Sequence, residues 1–201
     1  MVKNMGIKLR ILSVWTPQFI IKQELRGTTD ITNEYLDQLI KDHGGSPPKQ
    51  IDLNGNPDDR RKQMALGHNL RVKILIDLLG ETQAIIEGRI KMFEAGFKLG
   101  QHARNILGVQ DSIDDTMKAA KILYRVLGID FITEISENTI ILWVNSCTLS
   151  NYYTPQTCCI LSHADKGVLK GLNDYMDLEF VEKITTGSKR CKGCINIEGG
   201  I

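Results

Sequence analysis

Residues 140–198 read IILWVNSCTLSNYYTPQTCCILSHADKGVLKGLNDYMDLEFVEKITTGSKRCKGCINIE, and the changes of period along this stretch decide the fold. Thr139 to Val144 is rich in β-branched and aromatic residues and reads as a strand. A loop covers Asn145 to Thr154. Pro155 then opens a helix carrying Cys158, Cys159, Leu161, Ala164, Val168, Leu169 and Leu172. Leu178 to Thr185 returns to strand, Gly187-Ser188-Lys189 makes a turn, and Lys192 to Glu198 is the last strand. One more strand comes before, Ile129 to Ile135, joined to Thr139–Val144 by a hairpin turn at Glu137-Asn138. The C-terminal half is therefore ββαββ.

Upstream of this half the period is helical. Asn56 can cap and Pro57 can open a helix that runs to Leu79 and stops at Gly80. Its apolar stripe is Met64, Gly67, Leu70, Ile74, Leu75 and Leu78. A second helix, about Glu81 to Leu107, presents Ile86, Ile90, Phe93, Phe97, Gly100 and Leu107. Gly88, Gly96 and Gly100 each cost it roughly 1 kcal/mol relative to Ala. Glycines spaced like this point to close backbone approach, either within the fold or across a homodimer. A third helix begins at Ser112, with Asp115 as capping-box partner, presents Met117, Ala120, Leu123 and Leu127, and stops at Gly128.

Residues 1–56 read as an arm and linker. They hold a short helix, Ile31 to Ile40 capped by Asp30, then two breaker clusters at Gly44–Pro48 and Asn54–Pro57. The expected architecture is α+β, with residues 57–201 as the functional domain. Helices should cover one face of a mainly antiparallel sheet of about four strands, crossed by the helix from Pro155.

The 201 residues are 42% hydrophobic, enough for one full core. With 25 basic and 24 acidic residues, the net charge of +1 gives no electrostatic reason to expect nucleic acid or an anionic membrane as partner. No apolar run approaches the roughly 18 residues that span a bilayer. Ile11 to Ile21 is broken by Trp15-Thr16-Pro17-Gln18 and lacks a small-residue cleavage site, so it does not read as a signal peptide. An odd cysteine count without an export signal points to a reducing, cytoplasmic setting.

All five cysteines lie in the last third: Cys147, Cys158, Cys159, Cys191 and Cys194. Two chemistries suit them. Cys147, Cys158, Cys191 and Cys194 could supply the four soft ligands of a zinc ion or, alternatively, of an iron–sulfur cluster. A nucleophilic site could instead use Cys158 or Cys159 in the first turn of a helix, where the dipole favours thiolate. His163 stands four residues after Cys159 and Asp165 is nearby. The pair Cys191 and Cys194 has the spacing of a metal knuckle or a thiol redox motif.

The stretch quoted at the outset resembles the C-terminal half of the L-2-amino-thiazoline-4-carboxylic acid hydrolase-like family. It is also similar to the related 4-vinyl-reductase-type small-molecule-binding domains, which share the fold of a vesicle-tethering transport-particle subunit. The resemblance rests on a strand ending in Cys147, then Cys158 opening a helix that holds Asp165, Gly167 and Gly171. Gly187-Ser188-Lys189-Arg190-Cys191 and an alternating strand complete it. Ser188 stands where the pattern has Asp, and Cys194 is an additional thiol. GETQAIIEGRIKMFEAGFKLG, residues 80–100, fits the helical half more loosely. The hydrolase side of the resemblance implies water addition to a small cyclic C=N group with ring opening, Cys158 acting as nucleophile or ligand. The binding-domain side implies a small-ligand module with cysteine-bound zinc and frequent dimerisation.

Overall fold

The computed structural model describes residues 5–136 and 139–198; the expected turn at Glu137-Asn138 lies outside them. The chain is α+β. Its helices are α1 Met5–Val14, α2 Gln18–Asp42, α3 Pro57–Leu79, α4 Glu81–Leu107, α5 Ile113–Leu127 and α6 Pro155–Leu172. Its strands are β1 Ile129–Ser136, β2 Thr139–Cys147, β3 Met176–Glu182 and β4 Cys191–Ile197. Short 3-10 turns cover Thr148–Asn151 and Ile184–Thr186. Among the described residues, no helix is long and apolar enough to cross a membrane.

Local chemistry sets the boundaries. The Asn56 side chain accepts the N–H groups of Asp58 and Asp59, and the Asp59 carboxylate accepts the Asn56 N–H, so α3 begins in a closed capping box. Ser112 caps α5 through the Asp115 N–H, and Thr154 caps α6 through the Thr157 N–H ahead of Pro155. Gly108 and Gly128 end α4 and α5 at φ 69° and 70°, a left-handed conformation that glycine adopts without penalty.

The sheet order is β1-β2-β4-β3, with every neighbouring pair antiparallel. Helix α6 carries the chain from β2 across β4 to the edge strand β3. Along β2, Ile140, Leu142 and Val144 are buried towards the helices, while Ile141 and Trp143 alternate outward.

Three expectations are corrected. Helix α2 is 25 residues long rather than a short Ile31–Ile40 helix, and Asp30 lies inside it instead of capping it. Leu25, Leu36 and Ile40 have no exposed surface, so residues read as an arm supply part of the core. On α3 the buried face is Arg61, Met64, Ala65, Gly67, His68, Arg71, Val72 and Leu75, so Met64, Gly67 and Leu75 lie inside as expected while Leu70 and Leu78 face outward. Polar side chains can lie inside here because each has partners. Arg61 donates to the carbonyls of Val126 and Arg125, each at 2.9 Å. Arg71 grips the Asp37 carboxylate with two bonds of 2.8 and 3.0 Å.

On α4 the buried face is mostly small, at Ala84, Gly88, Ala95, Gly96, Gly100 and Ala103, with Met92 and the expected Leu107 as its large members, whereas Ile86 and Ile90 are exposed. The cause is α6. A Cβ on Gly96 or Gly100 would overlap the carbonyl oxygens of Ala164 or Val168. On the facing helix, a Cβ on Gly167 or Gly171 would overlap those of Phe93 or Phe97. Four glycines therefore let two backbones touch within one chain, which is the use of Gly96 and Gly100; Gly88 instead makes room for the Ile160 side chain.

Candidate functional site

On its other side α6 stands off from the sheet and leaves a cavity of about 100 Å³. Roughly 10–15 Å³ holds one water, so this space takes several waters or a small organic molecule. Its walls come from α2, α3, α5, α6, the strand ends and the Lys183–Thr185 segment. Much of the wall surface is apolar, supplied by Met64, Leu127, Ile129, Val144, Leu149, Leu161, Phe180 and Ile184. A second, smaller apolar chamber of about 50 Å³ lies beyond Tyr124, Leu127 and Asp165, which line both.

Three of the five cysteines meet at the main cavity. Cys147 ends β2, Cys158 lies in the first turn of α6 and Cys191 begins β4. Asp165 is seven residues after Cys158, two turns further along the same face of α6. These thiols are not activated. Burial pushes Cys147 up to about 11 and raises Cys158 and Cys191 as well. The Ile184 N–H donates to the Cys191 sulfur at 3.3 Å.

Asp165 is the unusual acid. It lines both the main cavity and the second chamber, and burial pushes its carboxyl up to about 7, against the pull of the nearby Lys183 charge. Lys183 also lines the cavity and donates to Ser162 Oγ at 2.9 Å. At the opposite wall, His68 bridges Thr32 Oγ1 (2.8 Å from Nε2) and the Tyr153 hydroxyl (2.7 Å from Nδ1). Burial, assisted by the positive charge of Arg71, pushes His68 down to about 3, so it is neutral at physiological pH.

The remaining candidates lie elsewhere. Cys159 turns towards α4 and accepts from Arg89 Nη2 at 2.7 Å. His163 shares that side rather than the cavity; burial, then the charges of Arg89 and Lys183, push it down to about 4. Among the described residues, no side-chain hydrogen bond joins His163 to Cys159 or to Cys158; Cys159 is hydrogen-bonded to Arg89 instead. Cys194 is opposite Ile141 and Glu179 in the sheet register, whereas Cys191 is opposite Val144. Residues three apart on a strand point to opposite faces, so Cys194 is across the sheet from the cavity.

A metal site asks for convergence that this geometry lacks. Among the described residues, no three His, Cys, Asp or Glu side chains come close enough to hold an ion. The expected ligand set of Cys147, Cys158, Cys191 and Cys194 is divided by the sheet. Neither a zinc ion nor an iron–sulfur cluster fits it.

Sequence reading missed Lys183, His68, Tyr124 and Tyr153. His68 could have been found by phase, since it lies four residues after the buried Met64. Lys183 offered no periodic signal, because it leaves the end of a strand.

No protein-family model matches the chain, and no curated protein does. Solved structures do. The chain is similar to a trafficking protein particle complex subunit 3 from Naegleria fowleri, a protein covalently bound to palmitic acid. The TM-score is 0.54 at 14% identity, over 70% of this chain and 96% of that one. At that identity the likeness is one of fold. An H-NOX protein from S. oneidensis, in an Fe(II)NO ligation state, matches at a TM-score of 0.41 and 11% identity, over 89% of this chain and 98% of that one.

Proposed function

We propose that this protein binds a small, mostly apolar molecule that carries one hydrogen-bonding end. The observation that carries this reading is the cavity, apolar over most of its wall, with Asp165, Lys183, the thiols, the His68–Tyr153 pair and a few hydroxyls such as Ser162 and Thr185 as its polar points. Sites of this make-up bury an apolar body and orient it by a few polar groups. The polar end of the ligand would meet Asp165 and Lys183. Its body would lie against Val144, Leu161 and Phe180.

The test is a thermal-shift and calorimetric screen of small phenols, short-chain acids and cyclic amidines. A ligand of the proposed kind raises Tm and loses affinity at least tenfold when Leu161→Trp fills the cavity. Affinity unchanged in that variant would end the reading.

A second reading, hydrolysis of a cyclic C=N compound, is favoured by one observation: a carboxyl near pH 7 facing the cavity. Asp165, rather than a thiol, would then take a proton from water as its oxygen adds to the C=N carbon. The C=N π electrons would pass to the ring nitrogen, which would receive that proton from Asp165. Collapse of the hydroxyl-bearing carbon to a carbonyl would break its bond to that nitrogen and open the ring. Such activity would rise as pH passes about 7 and disappear in Asp165→Asn. The raised Cys147, Cys158 and Cys191 thiols, none of them hydrogen-bonded to His163, speak against a thiolate nucleophile at the cavity.

A further inference from the structure

The whole-chain charge of +1 conceals a local excess at the N-terminus. Residues 1–29 hold five basic side chains, Lys3, Lys8, Arg10, Lys22 and Arg26, against Glu24 alone. Of these, Lys8, Arg10 and Arg26 are exposed, and Lys22 is half-buried. None of these four makes a salt bridge among the described residues.

The same segment carries the largest group of exposed apolar side chains near one another in sequence. Ile7, Ile11 and Val14 are 53, 58 and 83% exposed, Trp15 is 66% and Phe19 is 69%. Ile7, Ile11 and Val14 fall at helical spacing on one side of α1. Lys8 and Arg10 flank that side. Leu9, on the opposite side, is buried at 1% exposure among Ala103, Leu107 and Ile122. The helix is also fixed at its end: Arg125 of α5 donates to the carbonyls of Leu12 (3.1 Å) and Ser13 (2.9 Å). An inner stripe anchors α1, so the outer stripe is held outward.

We propose that the corner formed by α1 and the start of α2 docks this protein on an anionic membrane surface. Trp and Phe at the tip of an apolar stripe, with Lys and Arg along its margins, match the boundary between acyl chains and acidic headgroups. The charge argues for lipid over a second copy of the chain. Two such corners would bring like charges face to face, whereas acidic headgroups complement them. Each cation near such a surface strengthens binding roughly fivefold.

The experiment is flotation of the full chain with vesicles of phosphatidylcholine alone or with 30% phosphatidylserine, at low and at 0.5 M salt (vesicle and salt settings chosen as about one anionic lipid in three and screening well beyond physiological). The protein is expected to float with the anionic vesicles at low salt and to be released by high salt. Trp15→Asp with Phe19→Asp, and separately Lys8→Glu with Arg10→Glu, should each cut the bound fraction at least tenfold. All four sites are exposed, and circular dichroism checks that both variants remain folded. In a Trp143→Phe background, Trp15 emission should shift to the blue on binding. Failure to float with anionic vesicles, or flotation unaffected by both double substitutions, overturns the proposal. So does a dimer in sedimentation that the Trp15→Asp, Phe19→Asp variant abolishes, because the corner would then face a second copy.

Discussion

Helix α6 has two sides that could hardly differ more. Towards α4 it is shut: glycines on both helices bring backbone against backbone, with no room for a methyl group. Towards the sheet it is open, and Cys158, Leu161 and Asp165 face an apolar cavity. The contrast shows how a small domain keeps a hollow beside its core. A helix clamped tightly on one side does not need the other side filled to hold its position.

Breaking the clamp should have the largest effect. Gly96→Leu drives a side chain into the Ala164 carbonyl, and the helices must separate. We expect a loss of about 4 kcal/mol or more, measured by urea denaturation. Gly27→Ala is the control. Nothing lies within 4 Å of the added methyl, so it should stabilise by up to about 1 kcal/mol. Equal effects at the two positions would contradict the clamp.

The open side predicts a pH signature. Asp165 ionises at about 7 when folded and near its ordinary 3.8 when unfolded. Between these values the folded state holds one more proton, so this residue's contribution is fullest below about pH 4 and is lost as pH rises to 7. The stability of the wild type relative to Asp165→Asn should fall across that window by about 2–4 kcal/mol, read from denaturation at each pH. His68 has the opposite sign. Its folded value of about 3 lies below the ordinary 6.5, so acid destabilises the protein as pH falls through 6.5. His68→Gln should flatten that limb.

A matched pair of overpacking substitutions sharpens the comparison. Ala120→Leu points into the second chamber and should cost under about 1.5 kcal/mol, whereas Ala95→Leu, inside the closed helical core, should cost about 1–3 kcal/mol more. The smallest effect is chemical. Raised thiols should make Cys147, Cys158 and Cys191 slow to alkylate near pH 7 and faster towards pH 10, with a bound ligand slowing them further. Cys194 should be indifferent to that ligand, as mass spectrometry of the labelled peptides would show.

Caps and turns were legible in the sequence. Asn56, Ser112, Pro155, Gly80 and Gly128 place the starts and stops of α3 to α6 where residue chemistry demands them. The ββαββ order followed from changes of period. Phase was less legible. The apolar stripe on α3 suggested Leu70 and Leu78, but burial follows Arg61, His68 and Arg71, whose partners Val126, Tyr153 and Asp37 come from distant segments. On α4 the isoleucines suggested an inner face that the glycines in fact occupy. Of the residues expected as metal ligands or catalytic groups, Cys147, Cys158, Cys191 and Asp165 were brought together at one cavity. Cys159, His163 and Cys194 were not, since α6 and β4 turn them away.

The strand that carries Cys191 and Cys194 also rules on their oxidation. Three residues of extended chain separate their Cα atoms by about 10 Å. A disulfide tolerates no more than about 7 Å. These two thiols therefore cannot cross-link while β4 stays in the sheet. A covalent dimer formed without reductant through Cys194, which lies across the sheet from the cavity, would leave that cavity as it was.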